Sequence, residues 1–563
     1  SRRHWAEEGA NPRRRWTATS TDGGKTWKNL KFCEVLPDGP QNTNYGCMAG
    51  LTRLAVKGYD ILIYSNCDSP SGRDHGTVWA SFDGGKTWPI KKLVFSGRHA
   101  YSSITSGRPG TITEGMIFHH FEGGPKGGSA VARFNLAWLL EDGKATGDGS
   151  IPKNLSNENW PGWRGPRGDG TSTDKNVPTQ WSASENIAWK VAIPGKGHSS
   201  PVIWEDKILL LSCLPEKEER VLLCLDRRSG KTLWQSTILK TPLETLHRLN
   251  SRASSTPVTD GKMIYVSAMK VDTRKIPAPN VGGARLITPG AFVVSAFDMA
   301  GKKKWSRNVG EFISAHGFNA CPILYRDLVI VNGDHDGEAY LAALDQKTGE
   351  IKWKVPRENK TRSYSTPIIR TIDKREQMIL CGSKSVASYD PANGERHWII
   401  DGPTEQFVAS MVYNGKYAFV TGGFPERHIL AIRPEGRGNI TKTHIAWRVK
   451  KGASYVPSPV VVGPYFIIVA DNGIASCFKA EDGTRLWMER LGGGHSASAI
   501  TANGLVYFVS DRGTTTVLRP GAKFEVVAKN DLKELVSGSP AVSQGQLFIR
   551  GHQHLYCIGK GAN

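Results

Sequence analysis

The 563-residue chain has nine cysteines, yet no two are adjacent and none form a Cys-x-x-Cys pair. That excludes a zinc ribbon and a thioredoxin-like redox motif. Long apolar runs are also missing. Stretches such as "YFIIVA", Tyr465–Ala470, are short, against the roughly 18 residues that a membrane-crossing helix needs. No transmembrane segment is expected. Nor is there a block of like charge. The net charge is +21, but the basic residues are scattered, with only short clusters such as Arg13–Arg15. A dedicated nucleic-acid arm is excluded, and a diffuse field that attracts anions remains. An odd cysteine count leaves bridges such as Cys33–Cys47 or Cys213–Cys224 open.

What is present is turn chemistry. Gly 62, Pro 31 and Trp 17 suit an all-β, turn-rich chain long enough for two or three domains. "STDGGKTW", Ser20–Trp27, returns 61 positions later as "SFDGGKTW", Ser81–Trp88. Gly-Gly after Asp permits positive φ, and Asp22, Asp83, Ser20 and Ser81 can hold such a turn through their side chains. Trp27 and Trp88 are expected to plug the hairpins. Alternating segments such as "GLTRLAV", "DILIYSN" and "TVWASF" read as strands over residues 1–145. Residues 146–180 are rich in Gly, Pro, Asn, Ser and Asp and read as a linker, with Trp160 and Trp163 of "WPGWRGPRGDG" able to pack locally.

Residues 181–563 carry a second repeat. An aliphatic strand leads to Asp, a Gly-containing turn and a Trp, as in "CLDRRSGKTLW", "AFDMAGKKKW", "ALDQKTGEIKW" and "SYDPANGERHW". Each unit begins with a small residue, usually before Pro: "HSSPV", "SSTPV", "NACPI", "YSTPI", "VASMV", "PSPVV", "HSASAI" and "SGSPAV". Eight such starts at roughly 40–50 residues each predict eight four-stranded propeller blades. "IAWKVAI", Ile187–Ile193, is an orphan outer strand, and it is expected to complete the last blade and close the ring.

These "D-x-x-T/S-G-x-x-x-W" endings resemble the PQQ-like propeller superfamily. Its quinoprotein dehydrogenases use adjacent disulfide-bonded cysteines, which this sequence lacks. It is more similar to the cofactor-free members, such as the outer-membrane assembly scaffold lipoproteins. That resemblance implies no cofactor and a protein partner on the ring. The first region resembles the C-terminal part of the sialidase family. The two turns match its Asp-boxes, and "SNCDSPSGRDHGTVWASFDGGKTWPIKKLVFSGRHAYSSIT" matches its run from a substrate-binding Arg through an Asp-box to "AYS". The fold implied is all-β: a partial six-bladed sialidase-type propeller followed by an eight-bladed PQQ-like one.

The sialidase resemblance assigns Tyr101 as the nucleophile and Arg15 and Arg73 to the substrate carboxylate, with Arg53 as a further pocket residue. Sialic acid bears a carboxylate at its anomeric carbon. Arginines bind it by charge-assisted bonds, and a neutral Tyr is not repelled by it. The substrate implied is a sialylated glycan or a related anionic sugar. The family's general-acid Asp, first triad Arg and Tyr-paired Glu precede the position of Arg15, so the domain is expected to be incomplete and the chain weak or inactive. The alternative is a non-catalytic propeller that binds a glycan or protein. Both readings imply a secreted or periplasmic protein. His119–His120, His552 and His554, and "DHDGE" (Asp334, His335, Asp336, Glu338) resemble metal ligands but lack further ligands at fixed spacing, so no metal is expected.

Overall fold

The computed structural model describes residues 14–40, 46–56, 59–108, 113, 115–140 and 159–559. The chain divides into two units, Ser1–Ser156 and Asn157–Asn563. Both are built almost wholly from antiparallel strands.

In the first unit, β1 (Arg14–Thr19) pairs with β2 (Lys28–Pro37) across the first repeated turn. β3 (Gly50–Val56), β4 (Tyr59–Cys67), β5 (Asp74–Ser81) and β6 (Ile90–Ser106) follow in order, with β7 (Met116–Gly123) and β8 (Ser129–Asn135) beyond. β6 serves two sheets. Residues up to Arg98 pair with β5, and residues from His99 pair with β7. A short helix, α1 (Leu136–Leu140), packs on the apolar core of Ile61, Ile63, Val78, Ile104 and Ile117.

The two repeated turns have the same hydrogen bonds. The N–H of Gly24 donates to Ser20 Oγ at 2.8 Å and that of Thr26 to Asp22 Oδ1 at 2.9 Å. Gly85 and Thr87 do the same to Ser81 and Asp83 at 2.8 and 3.0 Å. Bonds from the Thr26 side chain and backbone and from Ser20 hold the Asp22 carboxyl below the ordinary carboxylate range. The Trp plug holds only once. Trp88 is 3% exposed and packs near Tyr64, but Trp27 is 66% exposed. The turn closes through its own polar atoms, so it does not require its Trp to be buried.

The second unit contains eight four-stranded sheets, the fourth extended by a two-residue fifth strand. The first is Val202–Trp204, Lys207–Leu214, Glu219–Asp226 and Thr232–Lys240. The last is Ala541–Ser543, Gln546–Arg550, His554–Ile558 and then β9, Ile187–Ala192. The orphan strand thus closes the series, with Trp189 opposite Cys557.

The small residue at each start has a structural task. Backbone N–H groups of Ser200, Thr256, Thr366, Ser410, Ser458, Ser498 and Ser539 donate, at 2.9–3.2 Å, to Thr256 Oγ1, Cys321 Sγ, Ser410 Oγ, Ser458 Oγ, Ser498 Oγ, Ser539 Oγ and Ser200 Oγ. At the remaining step the Thr366 side chain bonds Cys321. Eight small polar side chains therefore link the eight sheets in a closed circle. The Pro that usually follows has no N–H to satisfy at the strand's first residue.

The Asp–Gly–Trp repeat joins the outer edges. Gly349 has φ +71°, and a Cβ there would meet the Trp305 indole at 2.6 Å. Trp305 comes from the preceding sheet, and its Nε1–H donates to Gln346 O at 3.0 Å. Trp189, Trp234, Trp353 and Trp447 lie in the same way on Gly230, Gly301, Gly394 and Gly483.

The stretch expected to be a linker is structured in its second part; residues 146–158 lie outside the described residues. Trp160 is fully buried and pairs with Ile203. Pro161 O accepts from Thr259, Trp163 Nε1–H donates to Ser410, and an Arg164 nitrogen donates to Pro459 O at 2.6 Å. Arg167 O accepts from Arg370, and Gly170 and Ser172 bond Thr501. Residues 160–172 thus fasten to six of the eight sheets. Its Gly and Pro content bends the segment across the ring.

All nine cysteines are free. The proposed Cys213–Cys224 bridge is ruled out by register: Cys213 faces Arg220, and Cys224 faces Leu209 four residues along the same strand. At about 3.4 Å per residue the two lie too far apart to bond. Cys47 neighbours Cys67 rather than Cys33.

Candidate functional site

In the first unit Arg73 ends the loop before β5, and Ser81, at the far end of β5, opens the second repeated turn. Eight residues of strand, about 26 Å, therefore separate this arginine from the turn. Arg73 O accepts from the His99 N–H at 2.8 Å, which pins the loop to β6 two residues before Tyr101. The Arg73 guanidinium lies 4.9 Å from the centroid of the Tyr101 ring. Both side chains are half-buried, so this cation–π pair is reachable from solvent.

Arg15 lies deeper. It is 5% exposed and forms an ion pair with Asp38 at 2.7 Å. Its other nitrogens donate to Tyr64 Oη at 3.1 Å and Cys47 O at 2.8 Å. Burial pushes the Tyr64 phenol up to about 12, with Arg15 opposing it. Met48 O accepts from Ser102 N–H at 3.1 Å, so the Cys47–Met48 segment lies between Arg15 and the Tyr101 strand. The structure thus brings Arg73 and Tyr101 into contact and holds Arg15 on Asp38, Tyr64 and Cys47, its charge spent on Asp38.

Arg53 does not join this group. It is exposed, pairs with Asp60 at 2.7 Å, and lies along β3 toward the second turn, where Gly84 N–H donates to Asp60 O. The strand's direction carries it about 16 Å from Met48.

Sequence reasoning missed the thiols beneath the pair. Cys47 and Cys67 are 1% and 0% exposed. A bond from the Cys67 thiol lowers the Cys47 pKa, burial opposes this, and Arg73 and Arg15 add to the lowering. The same bond, then burial, raises that of Cys67. Nothing in the spacing of residues 47 and 67 signals their meeting.

The metal-like clusters are taken up by the fold. Asp334 pairs with Arg357 and Asp336 with Arg362, each at 2.9 Å and fully buried. His119 Nε2 lies 3.1 Å from His99 Nε2. His554 pairs with Glu534 at 2.8 Å. Among the described residues no group of three or more His, Cys, Asp or Glu could hold a metal ion. No helix among them is long and apolar enough to cross a membrane.

The second unit holds a cavity of about 740 Å³. Cys321, Thr366, Ser498 and Ser539 of the serine-rich circle line it, as does Trp163 of the strapping segment. In the sequence Trp160 and Trp163 promise only local packing; of the two, Trp163 lines the cavity.

The family model for outer membrane protein assembly factor BamB matches residues 217–414. A sialidase of Micromonospora viridifaciens is 35% identical over 130 residues, which are 22% of this chain and 18% of that protein. The chain therefore spans less than a fifth of that relative's length. Among solved structures, BamB from Moraxella catarrhalis aligns with a TM-score of 0.46 and 11% identity over 66% of this chain and 99% of its own. A quinohemoprotein alcohol dehydrogenase from Comamonas testosteroni gives 0.41 and 12%, over 72% and 81%.

Proposed function

We propose, from a BamB-like domain over 217–414 and a sialidase-like stretch of 130 residues, that the first unit carries part of a sialidase-type site on a chain whose second unit is an accessory propeller. The observation that carries the reading is the Arg73 guanidinium 4.9 Å from the Tyr101 ring. Arg73 is the carboxylate-binding cation and Tyr101 the nucleophile. The Tyr101 oxygen attacks the anomeric carbon and its hydroxyl proton passes to water, the glycosidic C–O bond breaks with the departing oxygen taking a proton from solvent, and water then displaces Tyr101 to release the sugar with retained configuration. Arg15 is a positioning residue that holds the Cys47–Met48 floor. Arg53 has no part in this site. The substrate is a sialylated glycan or related anionic sugar, and the protein is secreted or periplasmic.

The test is hydrolysis of a fluorogenic sialoside by the native protein and by Tyr101→Phe. Weak turnover by the native protein, lost in Tyr101→Phe with an unchanged circular dichroism spectrum, is expected. Equal turnover in the variant removes Tyr101 from the chemistry. A second reading, a non-catalytic binding or scaffold protein with a glycan or protein partner, is favoured by two observations: the burial of Arg15 against Asp38 and the cavity within the second unit.

A further inference from the structure

We infer that the cavity of the second unit binds a small sugar acid, a hydroxylated ring bearing a carboxylate. This goes beyond the activity proposed for the first unit and uses neither Arg73 nor Tyr101.

Arg285, Arg362, His198, His247 and His316 line the cavity, and no Asp or Glu side chain does. Asp336 sits behind Arg362 and takes its Nη1 through both carboxylate oxygens, at 2.9 and 3.0 Å. Arg362 is thereby fixed and neutralised. The Arg285 side chain, on an exposed loop, makes one hydrogen bond, to Ala315 O at 2.7 Å. Its remaining N–H groups have no acceptor among the described residues, and they can grip a carboxylate.

The lining also supplies hydrogen-bond donors. His316 Nδ1 accepts from Arg362 Nε at 3.3 Å, so the ring proton sits on Nε2. Burial first, then Arg362, brings the His316 pKa down to about 3, which keeps the ring a neutral donor. Gln406 is 2% exposed. Its oxygen accepts from the Tyr455 hydroxyl at 3.1 Å, and its amide N–H₂ has no acceptor among the described residues. Ser498 and Ser539 accept a backbone N–H through their oxygens and keep their own protons to donate. A cavity of donors without carboxylates suits a ligand rich in acceptors and rejects a cation.

Trp163, fixed by its bond to Ser410 at 3.2 Å, supplies an aromatic face on which the C–H face of a sugar ring can rest. The volume of about 740 Å³ lies within the range of roughly 300–1,000 Å³ typical of small-molecule sites. It is too small for a folded macromolecule.

The test is isothermal titration of the whole protein with N-acetylneuraminic acid, with neutral N-acetylmannosamine as control. Native protein and Arg73→Gln should both bind the acid, and Arg285→Gln should bind it about tenfold more weakly at the cavity. Arg285 is exposed, so its loss should not unfold the chain. Absence of saturable binding up to about 10 mM overturns the inference. So does binding abolished by Arg73→Gln and untouched by Arg285→Gln, or equal binding of the neutral sugar. Failure of sialoside hydrolysis would leave these outcomes unchanged, so the two readings fail separately.

Discussion

Each unit repeats an Asp–Gly–Trp turn, but the two turns hold different things together. In the first unit the turn is local. Ser20, Asp22 and Thr26 close it within seven residues, and Trp27 stays in water. In the second unit the turn is a joint. The Trp lying on Gly349 belongs to the preceding sheet and donates to the turn's own carbonyl. The same residue types thus specify a self-contained hairpin in one place and a contact between neighbours in the other. The difference is spacing. In the first the Trp follows its Gly-Gly by three residues. In the second the Trp resting on each Gly comes from 36 to 67 residues upstream, across the sheet boundary.

Substitutions can break this comparison. Trp305→Ala should cost about 4 kcal/mol, because it removes an inter-sheet joint, whereas Trp27→Ala should change stability by less than about 0.5 kcal/mol. Chemical unfolding of the two variants decides it, and equal costs would refute the distinction. Gly349→Ala adds a Cβ that meets Trp305 at 2.6 Å on top of a positive φ. It should cost about 3 kcal/mol. Gly24→Ala has the same backbone penalty, but its nearest neighbour is Trp27 at 3.8 Å, and it should cost about 1 kcal/mol.

The smallest effect at neutral pH concerns the first unit alone. Burial lowers the His99 pKa to about 4 and that of His119 to about 3. Both stay neutral in the fold and gain protons when unfolded. Their contribution is therefore complete above about pH 6.5 and falls as the pH drops toward 4. At pH 4.5 His99 alone should cost about 2–3 kcal/mol. A flat stability profile between pH 7 and 4.5 would remove this role, and His99→Gln with His119→Gln should flatten the profile of the native protein.

The eight small-residue starts were legible in the sequence because each lies next to the strand it begins. The closing strand Ile187–Ala192 was legible because it lacked local partners. Arg73 and Tyr101 could be singled out from a family pattern. Their contact could not, because it depends on the His99–Arg73 backbone bond that folds the loop onto β6. In the sequence Arg15 was assigned to the substrate carboxylate and Arg53 to the pocket as a further residue. Asp38 and Asp60, brought close by pairing and turns, separate a buried support from a surface ion pair. The strap at 160–172 read as a linker because its composition has no periodicity. Its partners, such as Ser410 and Pro459, are some 250 to 300 residues away.

The residues alone determined the all-β class, the turn chemistry and the number of repeats in the second unit. These follow from side-chain alternation, positive-φ glycines and hydrogen bonds within a few residues. Only the tertiary structure decided which tryptophans are joints, which arginines keep a usable charge, and that an acid-free cavity lies within the second unit. Each of those depends on groups distant in sequence meeting out of water, where an unpaired charge is costly and a partner sets its role.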